Sequence, residues 1–176
     1  MSITKNRFKV LSSLLLALML TTSCITPALA VDAEPTWTTV AAMTTAHGYF
    51  ASEVVNGKIY VFGGHSTNSY SNIVEEYDPA TNVWTTKSPM PEAGTGICSI
   101  VLDGKVYIIS GCTYVVHNSN PSTIPFGKMY IYNPATDTWA AKSFLTKRFD
   151  SQVEIVDGKI YVVGGATDSG TLNTVE

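Results

Sequence analysis

Six side chains in this sequence could take part in binding chemistry, and their spacing is the first thing to weigh. Arg148 and Asp150 stand two residues apart. A guanidinium is a planar fork of donors that can clamp a carboxylate or a sugar, whereas the plainer role for such a residue is a local ion pair. Tyr114 and His117 could stack on a sugar or a peptide, or simply pack within their own loop. His47 and His65 offer two imidazoles at one end of a predicted hairpin. Register sets His47 opposite Ser66, which turns the two rings to opposite faces, and no third zinc ligand is apparent. Glu92 and Asp168 are single acids in loops, more readily solvated than catalytic. The sequence holds no H-E-x-x-H, no G-x-S-x-G, no P-loop and no EF-hand loop. Asn120 is followed by Pro121, which spoils the one glycosylation acceptor pattern. No catalytic residue, metal or cofactor is assigned.

The elements that must position these residues repeat. Gly57-Lys58-Ile59-Tyr60-Val61-Phe62-Gly63-Gly64 recurs as Gly104 to Gly111 and again as Gly158 to Gly165. A second phrase, Tyr77-Asp78-Pro79-Ala80-Thr81-Asn82-Val83-Trp84, recurs as Tyr132 to Trp139. The glycine phrase recurs at intervals of 47 and then 54 residues, and Trp84 stands 47 residues after Trp37 and 55 before Trp139. Such periods mark a repeat architecture.

Each unit reads as four antiparallel strands. An apolar strand (Tyr49 to Val55, Ile97 to Leu102, Gln152 to Val156) meets Asn56-Gly57, Asp103-Gly104 or Asp157-Gly158. These dipeptides accept the positive φ angles of a type I′ hairpin. A second strand, rich in β-branched and aromatic residues, runs to the glycine pair. A third ends at Tyr77 or Tyr132, and a proline turn leads to a fourth that carries Trp84 or Trp139. The second strands are apolar on both faces, so each sheet is predicted to lie sandwiched between neighbours. Residues that recur at equivalent positions (Tyr60, Tyr107, Tyr161, Trp84, Trp139 and the glycines 57, 63, 64, 104, 111, 158, 164 and 165) read as scaffold.

Together the two phrases resemble the kelch repeat, over roughly residues 44 to 176. The departures are Ser110 in place of the first glycine of a pair, and no Trp in the third unit. The resemblance implies an all-β fold of kelch-type β-propeller blades, about two and a half of them, in an incomplete ring. The expected boundaries are a leader 1–30, a lead-in 31–43 with Trp37 as an outer-strand residue, then units 44–90, 91–145 and a partial 146–176. Either further blades of a longer chain or association of copies would complete such a ring.

The same resemblance puts the first strand of each blade innermost. It gathers the loops His65 to Asn72, Cys112 to Lys128 and Ala166 to Leu172, with Thr44 to Gly48, Pro91 to Gly96 and Ser143 to Asp150, on one face at the mouth of the channel. Arg148 and Asp150 would then point towards that mouth. Loops on a rigid support are where recognition usually sits.

Composition narrows the partners. The 176 residues are 45% hydrophobic and 14% charged, a globular balance. Lys5, Arg7 and Lys9, the apolar run Val10 to Leu20, and Ala28-Leu29-Ala30 form a secretory leader with cleavage expected after Ala30. An uncleaved anchor is the lesser reading, since eleven apolar residues span a bilayer poorly. Leu20 to Cys24 loosely resembles a bacterial lipoprotein box, which makes lipidation at Cys24 a minor alternative. Beyond residue 30 the chain carries eight Lys and Arg against 14 Asp and Glu, net −6, which argues against nucleic acid and anionic membrane. Cys98 and Cys112 would sit in an oxidising compartment. A regular hairpin sets Cys98 opposite Ile109 and Cys112 opposite Thr95, on opposite faces and too far apart to bond, unless a bulge near Gly111 intervenes.

The sequence therefore predicts a secreted or cell-surface binding module whose loop face takes a protein, peptide or glycan. The alternative is part of a carbohydrate-directed kelch enzyme, galactose-oxidase-like or sialic-acid-epimerase-like, with its catalytic residues in other blades. A purely structural repeat is the third reading.

Overall fold

The computed structural model describes residues 36–66, 69–117, 120–143 and 146–176, without the side chains of residue 66 and residues 114–122. The leader, its cleavage site and Cys24 lie outside the described residues. The chain divides after Trp37, and Trp37 itself belongs to no strand and is exposed.

From Thr38 onward the chain is built from three successive antiparallel sheets. The first holds β1 (Ala51–Val55), β2 (Lys58–Phe62), β5 (Val74–Asp78) and β6 (Val83–Lys87), in the order β1-β2-β5-β6. Between β2 and β5 comes a small hairpin of β3 (His65–Ser66) and β4 (Ser69–Tyr70). The second sheet holds β7 (Thr95–Leu102), β8 (Lys105–His117), β10 (Lys128–Asn133) and β11 (Thr138–Ser143), with β9 (Asn120–Pro125) paired to the far end of β8. The third pairs β12 (Gln152–Val156) with β13 (Lys159–Val163), followed by the hairpin β14 (Ala166–Thr167) and β15 (Gly170–Thr171). A third strand begins to form there, where Val175 bridges Val163 as Val74 pairs with Phe62 in the first sheet.

The turns are those the dipeptides predict. Asn56, Asp103 and Asp157 adopt φ of 52°, 51° and 51°, each followed by a positive-φ glycine. The doubly apolar second strands behave as expected where a neighbouring sheet is present, whereas Ile59 of the first and Tyr161 and Val163 of the third, on faces without a neighbour, are exposed. Tyr60, Phe62 and Val55 of the first sheet pack on Val106, Ile108 and Tyr132 of the second, while Ile109 of the second packs against Val153 and Val162 of the third. Each such side chain taken out of water contributes about 1.5–3 kcal/mol. The first strands sit side by side, β7 touching both β1 and β12. These are propeller blades laid side by side with the first strands innermost, and the described sheets do not close into a ring.

Ser110 marks where the repeat departs from itself. Gly63 and Gly64 take φ of 60° and 98°, and Gly164 and Gly165 take 61° and 97°, so the chain turns a corner and the second strand ends. Ser110 and Gly111 have no positive φ, and β8 runs straight on to His117. The chain returns to bond the carbonyl of Gly64 after seven residues, at Ser71, but that of Gly111 only after fifteen, at Phe126. The stretch expected as a loop from Cys112 to Lys128 is thus largely a β-ribbon. The reason is that serine favours extended backbone where glycine admits a corner. Its hydroxyl is buried and accepts from Ser151 Oγ at 2.9 Å.

The bulge anticipated near Gly111 lies on the partner strand. Register shifts flank Cys98, which pairs with Ser110 rather than with Ile109. Cys112 does pair with Thr95, and both thiols are free.

Candidate functional site

Equivalent positions of the three blades meet at one end of the first strands. Tyr49, Gly96 and Asp150 occupy the same place in successive units and share a backbone bend, with φ of 55°, 59° and 52°. Positive φ is uncommon for a non-glycine residue, and least expected for a bulky one such as Tyr49. The surroundings hold it there. Thr95 Oγ1 donates to the carbonyl of Tyr49 at 3.3 Å, and the Asp150 amide donates to the carbonyl of Gly96 at 3.3 Å.

One residue earlier, Gly48 exchanges two backbone bonds with His65 (2.7 and 2.9 Å), and Phe149 exchanges two with Ala166 (3.0 and 2.9 Å). These bridges tie the entry of each first strand to the exit of the second. They fix where His65 and Phe149 stand.

The result is a cavity of about 390 Å³ lined by Tyr49, His65, Tyr70, Thr95, Gly96, Cys112, Thr123, Phe149 and Asp150. A smaller hollow of about 240 Å³ shares Tyr49, Gly96 and Asp150 and extends past Phe50 and Gln152. Tyr49 is 82% exposed at the rim. His65 and Tyr70 meet edge to face with centroids 5.3 Å apart. Burial, with the nearby Asp150 charge adding to it, pushes the Cys112 thiol up to about 11. That keeps it protonated and a poor nucleophile at neutral pH. Aromatic walls with a few polar groups are the usual make-up of a small-ligand site.

The residues singled out from sequence divide sharply. His65 and Asp150 both line the cavity. Arg148 does not reach it. Its guanidinium is buried, donating to Gly164 O at 2.8 Å and lying 2.9 Å from Glu176 Oε1, so the local ion pair describes its geometry. His47 occupies the same place in the first blade and is equally buried, its Nε2 3.5 Å from Glu75 Oε2.

The second blade meets the same packing problem without a buried cation. Gly94 replaces the cation, the Phe126 ring fills the space a side chain there would take, and Tyr130 stands where the glutamate would be. Phe126 and Tyr130 pack edge to face at 6.3 Å, and the Tyr130 hydroxyl donates to Glu92. Three solutions at one scaffold position account for His47, Arg148 and Glu92 together. A buried ion pair and an apolar pair of similar volume are often close in energy.

Tyr114 and His117 lie on β8, paired with Thr123 and Asn120 of β9, and their side chains lie outside the described residues. Asp168 is at the surface beside Ser169. No group of three His, Cys, Asp or Glu that could hold a metal occurs among the described residues.

Tyr49, Tyr70 and Phe149 were not singled out by residue type, yet a signal for two of them was present. Aligning the units by their own period pairs Tyr49 with Gly96 and Asp150, and Phe149 with Thr95 and Gly48. These are positions where the repeat changes identity, unlike the invariant Tyr60, Tyr107 and Tyr161.

Comparison with known proteins agrees with this architecture. Residues 46–91 match the profile of the Kelch motif. Among solved structures, the one titled "Structure of YjhT" superposes with a TM-score of 0.68 at 20% identity, over 77% of this chain and 49% of that one. The chain thus spans about half the length of that protein. No curated protein matches. A likeness at such identity speaks to fold alone.

Proposed function

We propose, from a chain whose residues 46–91 carry a kelch motif and whose sheets are kelch-type blades, that it is a secreted binding module that captures its ligand in the three-blade cavity at the loop face. The observation that carries this reading is the identity of the lining. The blades repeat their hairpin turns and second-strand tyrosines, but at the cavity they supply Tyr49, Gly96 and Asp150 from one repeated position. At His47, Gly94 and Arg148 the difference between blades is absorbed by packing, but Tyr49 and Asp150 are exposed and belong to no core cluster, so a ligand that meets another part of itself at each blade accounts for theirs. An exposed tyrosine ring beside a carboxylate suits a glycan or a peptide side chain: the ring stacks and the carboxylate accepts hydrogen bonds.

Export follows from the leader and would deliver the cavity to the outside of the cell, where surface glycans and peptides are encountered. The reading is tested by glycan and peptide arrays probed with the full chain, with Tyr49→Gly and Phe149→Ala as controls. Glycine is chosen at position 49 because it accepts the positive φ found there. Signals lost in both variants with unchanged thermal unfolding support the site. Signals indifferent to both variants overturn it. Export is tested separately, by the mass of the chain recovered outside the expressing cell. Loss of residues 1–30 is expected, and a chain retained inside with its leader intact overturns export.

A further inference from the structure

We propose that the cavity selects a ligand bearing an organic ammonium group, held over the faces of Tyr49, Tyr70 and Phe149 and against the carboxylate of Asp150. This rests on the loop-face reading above and adds the charge of the ligand to it. Three observations carry it.

The first is the lining. Among the described residues the lining holds the rings of Tyr49, Tyr70 and Phe149, the imidazole of His65 and one acid, and no Lys or Arg lines it or the adjoining hollow. Aromatic faces attract a cation placed within about 6 Å of the ring centre, and more strongly when water is excluded. A carboxylate in the same space adds a direct counter-charge. A neutral sugar could stack on the rings but would gain nothing from that charge, since Asp150 is exposed and solvated, and an anionic one would be repelled.

The second is how the groups are held. Tyr49 and Asp150 are the two non-glycine residues in the shared positive-φ bend. A backbone conformation this unfavourable for a tyrosine persists only where the surroundings impose it. The bend brings a ring from one blade and a carboxylate from another to the same cavity. His65 against Tyr70 fixes the orientation of a second ring.

The third is Gly96, the remaining member of the set. A Cβ there would lie 2.5 Å from Asp150 Oδ1. The middle blade contributes no side chain at this position, which leaves room for the carboxylate.

Two matched pairs of probes test the proposal on the full chain by NMR titration. Choline is compared with its uncharged carbon isostere, 3,3-dimethylbutan-1-ol, and glucosamine with N-acetylglucosamine. The amides of Tyr49, Gly96, Phe149 and Asp150 should shift with a cation at least about tenfold more tightly bound than its neutral partner. Preference within the first pair points to a quaternary ammonium, and within the second to an amino sugar. Asp150→Asn, which tolerates the positive φ, should erase the preference, and Tyr49→Gly should weaken the cation in either pair. Neutral members that bind as well as their cations at these amides overturn the ammonium proposal while leaving the loop-face site standing. No shift from any of the four probes up to about 100 mM also overturns it. Failure of the arrays as well removes the site altogether.

Discussion

The indole N–H of Trp139 donates to the carbonyl of Ser88 at 3.0 Å, reaching from the fourth strand of one blade back to the segment that leaves the blade before it. The bond belongs to a closed set. The Ser88 amide donates to Asp137 Oδ1 at 3.0 Å, and that same oxygen accepts from the Tyr132 hydroxyl at 2.7 Å. In the first blade Trp84, Ala41, Asn82 and Tyr77 repeat it, with the indole bond at 2.9 Å. The tilted Tyr–Trp contacts, 5.0 and 4.9 Å between centroids, stack each set into a clasp. Trp139→Phe keeps most of the ring and removes the donor. It should lower stability by about 1 kcal/mol, read as a shift in urea midpoint with unchanged slope. An unmoved midpoint would show that the clasp contributes packing alone.

Asp137 gives the clasp a pH dependence that Asn82 lacks. Burial tends to raise the Asp137 carboxyl, but bonds from Tyr132 and Ser88, with Lys87 nearby, outweigh it and hold the group below the usual carboxylate value. A folded value lower than the unfolded one, about 3.9, means the contribution is full above that unfolded value and is lost as pH falls through the folded one. Asp137→Asn copies the first blade. Urea midpoints measured from pH 6 to pH 2 should fall less steeply in the variant than in the parent, and parallel curves would contradict this.

Arg148→Ala should behave as a core lesion. It removes the guanidinium from Gly164 O and leaves Glu176 without its cation, at a cost of about 2–3 kcal/mol. Ligand affinity per folded molecule should be unchanged. A stable variant with lost binding would return Arg148 to the recognition surface.

Two glycines of similar backbone should respond differently to substitution. A Cβ at Gly64, φ 98°, would lie 2.6 Å from Gly48 O, and Gly64→Ala should cost about 2 kcal/mol or more. At Gly57, φ 76°, nothing stands within 4 Å, and Gly57→Asn should cost under about 1 kcal/mol because asparagine tolerates that region. Equal losses would mean that conformation alone, and not the close approach at Gly64, sets the penalty.

The two free thiols should alkylate slowly. Burial pushes Cys98 and Cys112 each to about 11, so at pH 7.5 little thiolate is present. Iodoacetamide labelling of the folded chain should accelerate as pH rises towards that value, and should be fast at once in urea. Rapid labelling at pH 7.5 without denaturant would sink this expectation.

The scaffold was legible because its signals are local. Asn56-Gly57 and its counterparts state a turn, the apolar second strands state burial on both sides, and two phrases recurring in step state a repeat. What escaped was contact between segments distant in sequence. Whether Arg148 faces the mouth or the interior depends on Glu176 and Gly164, and residue type alone could not choose. The ribbon of β8 and β9 was hidden for a related reason, since Asn120-Pro121 reads as a break and only continued pairing across it makes a strand. At the site, Asp150 and His65 were found by chemistry. Tyr49 was passed over because a tyrosine opening an apolar strand looks like core until its backbone bend is known.

Serine at position 110 carries a consequence for how such a molecule changes over generations. Glycine and serine codons can differ by a single base, so one mutation suffices to remove a glycine that such a corner uses. Once straightened, the strand can lengthen or shorten at its tip by insertion and deletion, far from the hydrophobic layers. Binding preference can therefore drift while the wheel beneath it inherits its spokes unaltered.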